Sequence, residues 1–210
     1  MRLVNIFGLK DLEIEYFETL VNLNQASSLE ERSHQLRRLL SFREGKVDVI
    51  GKEKFEYYSK WYYAAIRELL FFYDFRGDYQ SLAKKLDPAI LPVQAKKAIR
   101  ILEKLEFIKK NAQGKYQPTD SILKKDSSFR SLFVANLLRT NMEMGMVALE
   151  KFHKDQRNIS GITLSLSESG FEKAQAIIDS MRKKLTSLTD EDPFPEKVFQ
   201  FNVQFFPVTL

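Results

Sequence analysis

The sequence predicts an α+β fold, mainly α, in three parts. A helical segment covers 1–53, a long helix with a two-helix-and-hairpin module covers 54–127, and a second long helix with a strand–helix–strand unit covers 128–210. Three observations predict it. Apolar residues recur at a helical period through most of the chain. Prolines and a glycine turn punctuate its middle. At the C-terminal end the apolar period changes from helical to two.

The N-terminal part reads as two amphipathic helices over 9–42. Leu12, Tyr16, Phe17, Leu20 and Val21 form the stripe of the first. Ser28 with Glu31 three residues on is a capping box that starts the second, which buries Leu36, Leu39 and Leu40. Residues 43–53, "REGKVDVIGKE", hold two glycines and several charges and are expected to be a linker. A long helix follows from Lys54 to about Tyr73. Residues 55–79 hold eleven of the chain's 26 aromatics, too many to share one face, so they are expected to form core rather than a stacking platform for bases.

In the middle, Asp78 is placed to cap a helix from Tyr79 to Leu86. Pro88 and Pro92 interrupt it, and Pro92 suits the first turn of the next helix. On that helix Ala95, Ala98, Ile99, Leu102 and Leu105 share one face, with Lys96, Lys97, Arg100, Glu103 and Lys104 opposite. "EFIKKNAQGKYQPTD" supplies two short strands around Asn111–Gly114, where Gly114 accepts a positive φ. Helix, turn, helix and lysine-bearing hairpin, in that order, make a winged helix-turn-helix.

Residues 79–120 carry nine Lys or Arg and four acids, a net +5, which leaves 24 of each sign elsewhere. A basic module in an otherwise neutral chain is the footprint of phosphate binding. The candidate DNA contacts are Lys84, Lys85, Gln94, Lys96, Lys97, Arg100, Lys104, Lys109, Lys110 and Lys115. Gln94, at the helix start, is the candidate base reader, since an amide pairs with adenine. It is equally an ordinary exposed position of the first turn.

A long helix is expected over 128–155, with Met142, Met144 and Met146 in the core. In "ITLSLS" and "VFQFNVQFF" apolar and polar residues alternate, the pattern of strands with one buried face. Between them a helix carries Phe171, Ala174, Ile178, Met181, Leu185 and Leu188 on one side. Two strands alone leave edges open, so a second copy of the chain is expected to complete the sheet and make a homodimer; the alternative is a monomer in which the polar face of Gln200, Asn202 and Gln204 packs on the helix at 128–155 of the same chain.

Enzyme chemistry finds little footing. The chain has no cysteine, which excludes disulfides and thiolate metal sites and fits a reducing cytoplasm. His34 and His153 have no neighbours at metal-ligand spacing. No glycine-rich phosphate loop and no strand–turn–helix nucleophile motif occurs. The expectation is a non-enzymatic protein without cofactor. "MRLVNIFGLKDLEIEYF" lacks the apolar run of a signal peptide. No stretch of about 18 apolar residues marks a membrane span, and a cytoplasmic location is expected.

The segments "EYFETLVNLNQASSLEE", "YYSKWYYAAIRELL", "AKKAIRILEKLEFIKKNAQGKYQPTD", "RNISGITLSLSESGFEKAQ" and "KVFQFNVQFFPVT", in this order, span nearly the whole chain. It resembles a large paralogous family of uncharacterised bacterial winged-helix proteins, expanded in some predatory and fibre-degrading bacteria and taken to be transcriptional regulators. Members of that family carry a further helix-turn-helix ahead of the "EYFETLV" segment, of which "VNIFGL" would be the last turn. The resemblance thus implies a truncated paralogue or part of a longer product. Together these readings lead to an expected function: a sequence-specific regulator of transcription that binds double-stranded DNA. The alternative is a winged-helix adaptor that binds protein and no DNA.

Overall fold

Glu31 N–H donates to Ser28 Oγ at 3.1 Å, and Ser28 N–H returns a bond to Glu31 Oε2 at 3.4 Å. This is the reciprocal cap that the Ser-x-x-Glu spacing predicts. In this computed structural model, which describes residues 11–42, 49–119 and 130–209, the cap separates α1 (Asp11–Gln25) from α2 (Leu29–Ser41). Leu36 and Leu39 are buried as expected, and Leu40 is half-buried. The expected stripe of α1 is used only in part. Tyr16 and Leu23 pack inward, while Leu12 and Leu20 face solvent. Thr19 takes the buried place, and its hydroxyl is satisfied by donating to the Glu15 carbonyl at 2.7 Å.

Residues 49–53, expected in the linker, instead begin α3 (Val49–Ser59); the rest of that linker, 43–48, lies outside the described residues. The single long helix expected from Lys54 to Tyr73 is in fact two, α3 and α4 (Tyr62–Leu69), parted at Lys60–Trp61. Packing accounts for the break, since neither proline nor glycine marks it. At 100° per residue Phe55 and Tyr58 share a face of α3, and Tyr57 points away from it. Phe55 and Tyr58 meet the Phe133 ring at centroid distances of 5.7 and 6.0 Å, whereas Tyr57 meets Phe107 at 4.9 Å. α3 therefore lies between two apolar clusters. α4 then turns to sink Tyr63, Ile66 and Leu70 into the second.

The first cluster joins Leu36 and Leu39 of α2, Phe55 of α3, and Leu132 and Phe133 of α7 (Arg130–Lys151). The second is built from α4, α5 (Tyr79–Lys84), α6 (Pro92–Lys104) and an antiparallel hairpin. In the hairpin β1 (Ile108–Lys110) pairs with β2 (Tyr116–Pro118) in the register Ile108↔Pro118, Lys109↔Gln117 and Lys110↔Tyr116. Gly114 has φ +75, as the turn requires. The dense aromatics do form core; among them Phe71 is the exposed exception, at 59%.

α7 is anchored at its N-terminal half, where Ser33 Oγ donates to Asn136 Oδ1 at 2.9 Å. Its other half leaves one stripe exposed. Leu138, Met142, Met146 and Leu149 lie at i, i+4, i+8 and i+11 and are all exposed. The expectation that the methionines are core is corrected for Met142 and Met146, because no described element covers that side.

The C-terminal unit also differs from expectation. α8 (Glu168–Glu191) forms, capped by Ser167 with Gly170 N–H donating to its Oγ at 3.2 Å, but none of its 24 residues is buried. The two flanks expected as strands carry no ladder, and neither makes a main-chain hydrogen bond to the other. A strand exists only through a hydrogen-bonded neighbour. The alternation is nonetheless expressed in where the side chains go. Phe205 stacks on Phe171 of α8 at 5.2 Å, and Asn202 Nδ2 donates to the Asn141 carbonyl of α7 at 2.7 Å. Phe205 and Asn202, of opposite parity, thus reach different helices. Among the described residues the fold is mainly helical with one small two-stranded sheet, and no helix is long and apolar enough to cross a membrane.

Candidate nucleic-acid interface

The two helices of the middle module are fixed at their starts by local chemistry. Gln80 and Ser81 N–H both donate to Asp78 Oδ1 at 3.0 Å, and Ser81 Oγ donates to Oδ2 at 2.6 Å. The Ser81 bonds, with that from Gln80, hold the Asp78 carboxyl below its ordinary range. Pro92 occupies the first turn of α6, after Leu91 in extended conformation. Ile90 N–H donates to the Ala83 carbonyl at 3.2 Å and closes the turn between α5 and α6. Ala95, Ala98, Ile99 and Leu102 bury the inner face of α6.

The hairpin is tied to the helices at both ends. Tyr116 Oη donates to Glu103 Oε1 of α6 at 2.9 Å. Burial raises the Tyr116 hydroxyl pKa, and Glu103 adds to the effect. Arg67 of α4 donates to the Thr119 carbonyl at 2.6 Å. Asn111 Oδ1 accepts from Gln113 and Lys115 N–H at 3.0 and 2.9 Å and sets the turn.

The candidate contacts divide into three groups. Lys96 and Arg100 stand exposed on the outer face of α6, and Lys109 and Lys110 stand exposed on β1. None of these four is ion-paired to an acid among the described residues. Lys110 Nζ lies 5.0 Å from the Tyr116 ring centroid, which orients it.

Lys97 and Lys104 are not available in the same way. They lie at the edge of the face, where Lys97 Nζ is 2.6 Å from Glu56 Oε1 and Lys104 Nζ is 2.8 Å from Glu53 Oε1, both on α3. Lys84 and Lys85 sit exposed at the end of α5, Lys85 Nζ 5.5 Å from the Tyr73 ring centroid, and Lys115 is half-buried in the turn. Gln94 Oε1 accepts from Leu91 N–H at 2.8 Å, so its acceptor caps the helix and only its amide N–H groups remain to meet a base.

Two features escaped the sequence reading. Glu53 and Glu56 lie 51 and 41 residues before their partners, too far apart for any local pattern to link them. Leu91 and Val93 are 62% and 68% exposed at the start of α6. The helical wheel that grouped the lysines also puts Val93 among them.

The face offers cations for phosphate oxygens and, at Val93, an apolar group of the kind that meets a thymine methyl. No cluster of metal-ligating side chains occurs among the described residues. His34 is exposed, and His153 Nδ1 lies 2.6 Å from Asp155 Oδ1. No curated protein and no solved structure matches the chain. One family profile does, over residues 42–208, described as a domain of unknown function, DUF4423.

Proposed function

Given that the chain belongs to the DUF4423 family, we propose that it is a cytoplasmic, non-enzymatic regulator of transcription that binds double-stranded DNA and needs no cofactor. Its reading unit is a winged helix-turn-helix made of α5, α6 and the β1–β2 hairpin. α6 enters the major groove and the hairpin lies along a phosphate backbone. The observation that carries this reading is the set of four exposed cations, Lys96, Arg100, Lys109 and Lys110, that pair with no acid among the described residues and stand on one module with a shared core. Lys84, Lys85 and Lys115 add phosphate contacts at its margins. Lys97 and Lys104 reach phosphate only by exchanging an acid of α3 for it.

Exposed Leu91 and Val93 favour a second reading. An apolar pair at the head of α6 equally suits a protein partner, and the module then serves as an adaptor with no DNA bound. Binding of the full chain to random-sequence duplex DNA, followed by fluorescence anisotropy at two salt concentrations, separates the two. The regulator binds with a steep salt dependence, and the adaptor does not bind.

A further inference from the structure

Among the described residues, a large exposed apolar surface lies far in sequence from the basic module. Residues 159–167 and 198–209 contain no charged side chain at all. Ile162 is 82% exposed and Phe199 81%. None of the 24 residues of α8 between them is fully buried. With large apolar side chains contributing on the order of 150–250 Å² each when fully covered, the region leaves roughly 1,500 Å² of apolar-residue surface open. A monomeric protein rarely tolerates more than a few hundred, and a standard interface needs about 800 Å² from each partner.

We infer that this surface is covered by a second copy of the chain, and that the segments 159–167 and 198–206 of the two copies pair into one sheet beneath the two α8 helices. Three observations select a second copy over a different partner. Both segments alternate at a period of two, yet neither donates nor accepts a main-chain bond across to the other in one chain. Two regular edges from each copy supply each other's missing partners. The second observation is the lack of charge. A two-fold interface brings each residue near its own counterpart, where like charges oppose one another. A stretch of uncharged Gln200, Asn202, Gln204, Thr163 and Ser165 avoids that repulsion. The third is the pair of prolines that bound the second segment. Pro195 and Pro207 lack the N–H a ladder needs and limit pairing to the residues between them.

The inference does not rest on DNA binding, and its test contains no DNA. The full chain, 24.6 kDa, is measured by light scattering at tens of micromolar, alongside the substitutions Phe201→Asp and Val203→Pro. Hydrogen exchange is measured on the unaltered chain. The expected result is twice the chain mass for the unaltered protein, slow exchange of amides in 198–206, and a single chain mass for both variants with helical circular dichroism retained. A monomer at that concentration, or a dimer whose 198–206 amides exchange as fast as a free coil, overturns the inference. So does a dimer that survives both substitutions. Should either variant fail to fold, mass and exchange of the unaltered chain still decide the matter.

Discussion

Glu56 Oε1 accepts from two donors at once: Lys97 Nζ at 2.6 Å and the hydroxyl of fully buried Tyr63 at 3.0 Å. The carboxylate therefore joins the outer edge of α6 to the core beneath α4. The two donors contribute unequally. Lys97 is half-exposed, and a pair of that kind contributes at most about 1 kcal/mol. Tyr63 has no access to water, and loss of its hydrogen bond to a charged acceptor costs about 1.5–3 kcal/mol. Glu56→Ala is thus expected to destabilise the chain more than Lys97→Ala does, and denaturant unfolding of the two variants checks the order. Equal losses would show that the link to Tyr63 contributes nothing.

Among the described residues Lys109 and Lys110 of the hairpin have no such acid partner. Lys109→Ala with Lys110→Ala is expected to weaken binding to all duplex sequences alike. The slope of log affinity against log salt should shrink by roughly 1.8, about 0.9 for each phosphate no longer neutralised. Lys104→Ala, whose charge already serves Glu53, should leave the slope nearly unchanged and lower stability by about 1 kcal/mol. Anisotropy titrations of the variants at several salt concentrations, with denaturant unfolding of Lys104→Ala, read both effects. A larger slope change for Lys104→Ala than for the double variant would contradict the assignment of the hairpin as the part that meets the backbone.

Several buried tyrosines resist ionisation. Burial pushes the Tyr57 hydroxyl up to about 12 from its ordinary 10, with the Arg67 charge opposing it. Burial also raises Tyr62, Tyr63 and Tyr116. The folded chain holds these protons more tightly than the unfolded chain, so the associated stability is complete below pH 10. It is lost as the pH rises from 10 through about 12. The unfolding midpoint should be insensitive to these groups up to pH 10 and then fall. Tyrosinate absorbance should rise together with loss of helical signal. Ionisation of all eight tyrosines near pH 10, with the helices intact, is the opposing result.

Leu36 and Leu102 are each fully buried but belong to different clusters. Each alanine substitution should cost about 2–5 kcal/mol, the span of buried leucine truncations. Sites without shared partners add within about 0.5 kcal/mol, so the double variant should lose the sum. A marked departure from additivity, read by denaturant unfolding, would mean that the two clusters act as one core through α3.

The parts of the fold that rest on neighbours in sequence are legible there. Ser28 with Glu31, Asp78, Pro92 and Gly114 each act within four residues, and each does what its type and spacing predict. The break at Lys60–Trp61 is not legible, because neither proline nor glycine marks it. The same holds for the site. A wheel drawn on α6 finds its lysines, but only the folded chain shows that Lys97 and Lys104 turn toward Glu56 and Glu53. At the C-terminal end the alternation of "VFQFNVQFF" is legible as side-chain direction. The ladder it implies depends on a partner strand that local pattern does not identify.

The central claim is that the module of α5, α6 and hairpin holds the phosphates of duplex DNA, and salt titration of the unaltered chain tests it most directly. Affinity for a random-sequence duplex is measured from low to physiological salt. With Lys96, Arg100, Lys109 and Lys110 each neutralising a phosphate, the account predicts a slope of log affinity against log salt at least as steep as roughly −3.6, about −0.9 per phosphate, steepening toward roughly −6.3 as Lys84, Lys85 and Lys115 add their contacts. Absence of binding at low salt, or binding with a slope near zero, would contradict it and leave the exposed Leu91 and Val93 as the mark of a protein partner.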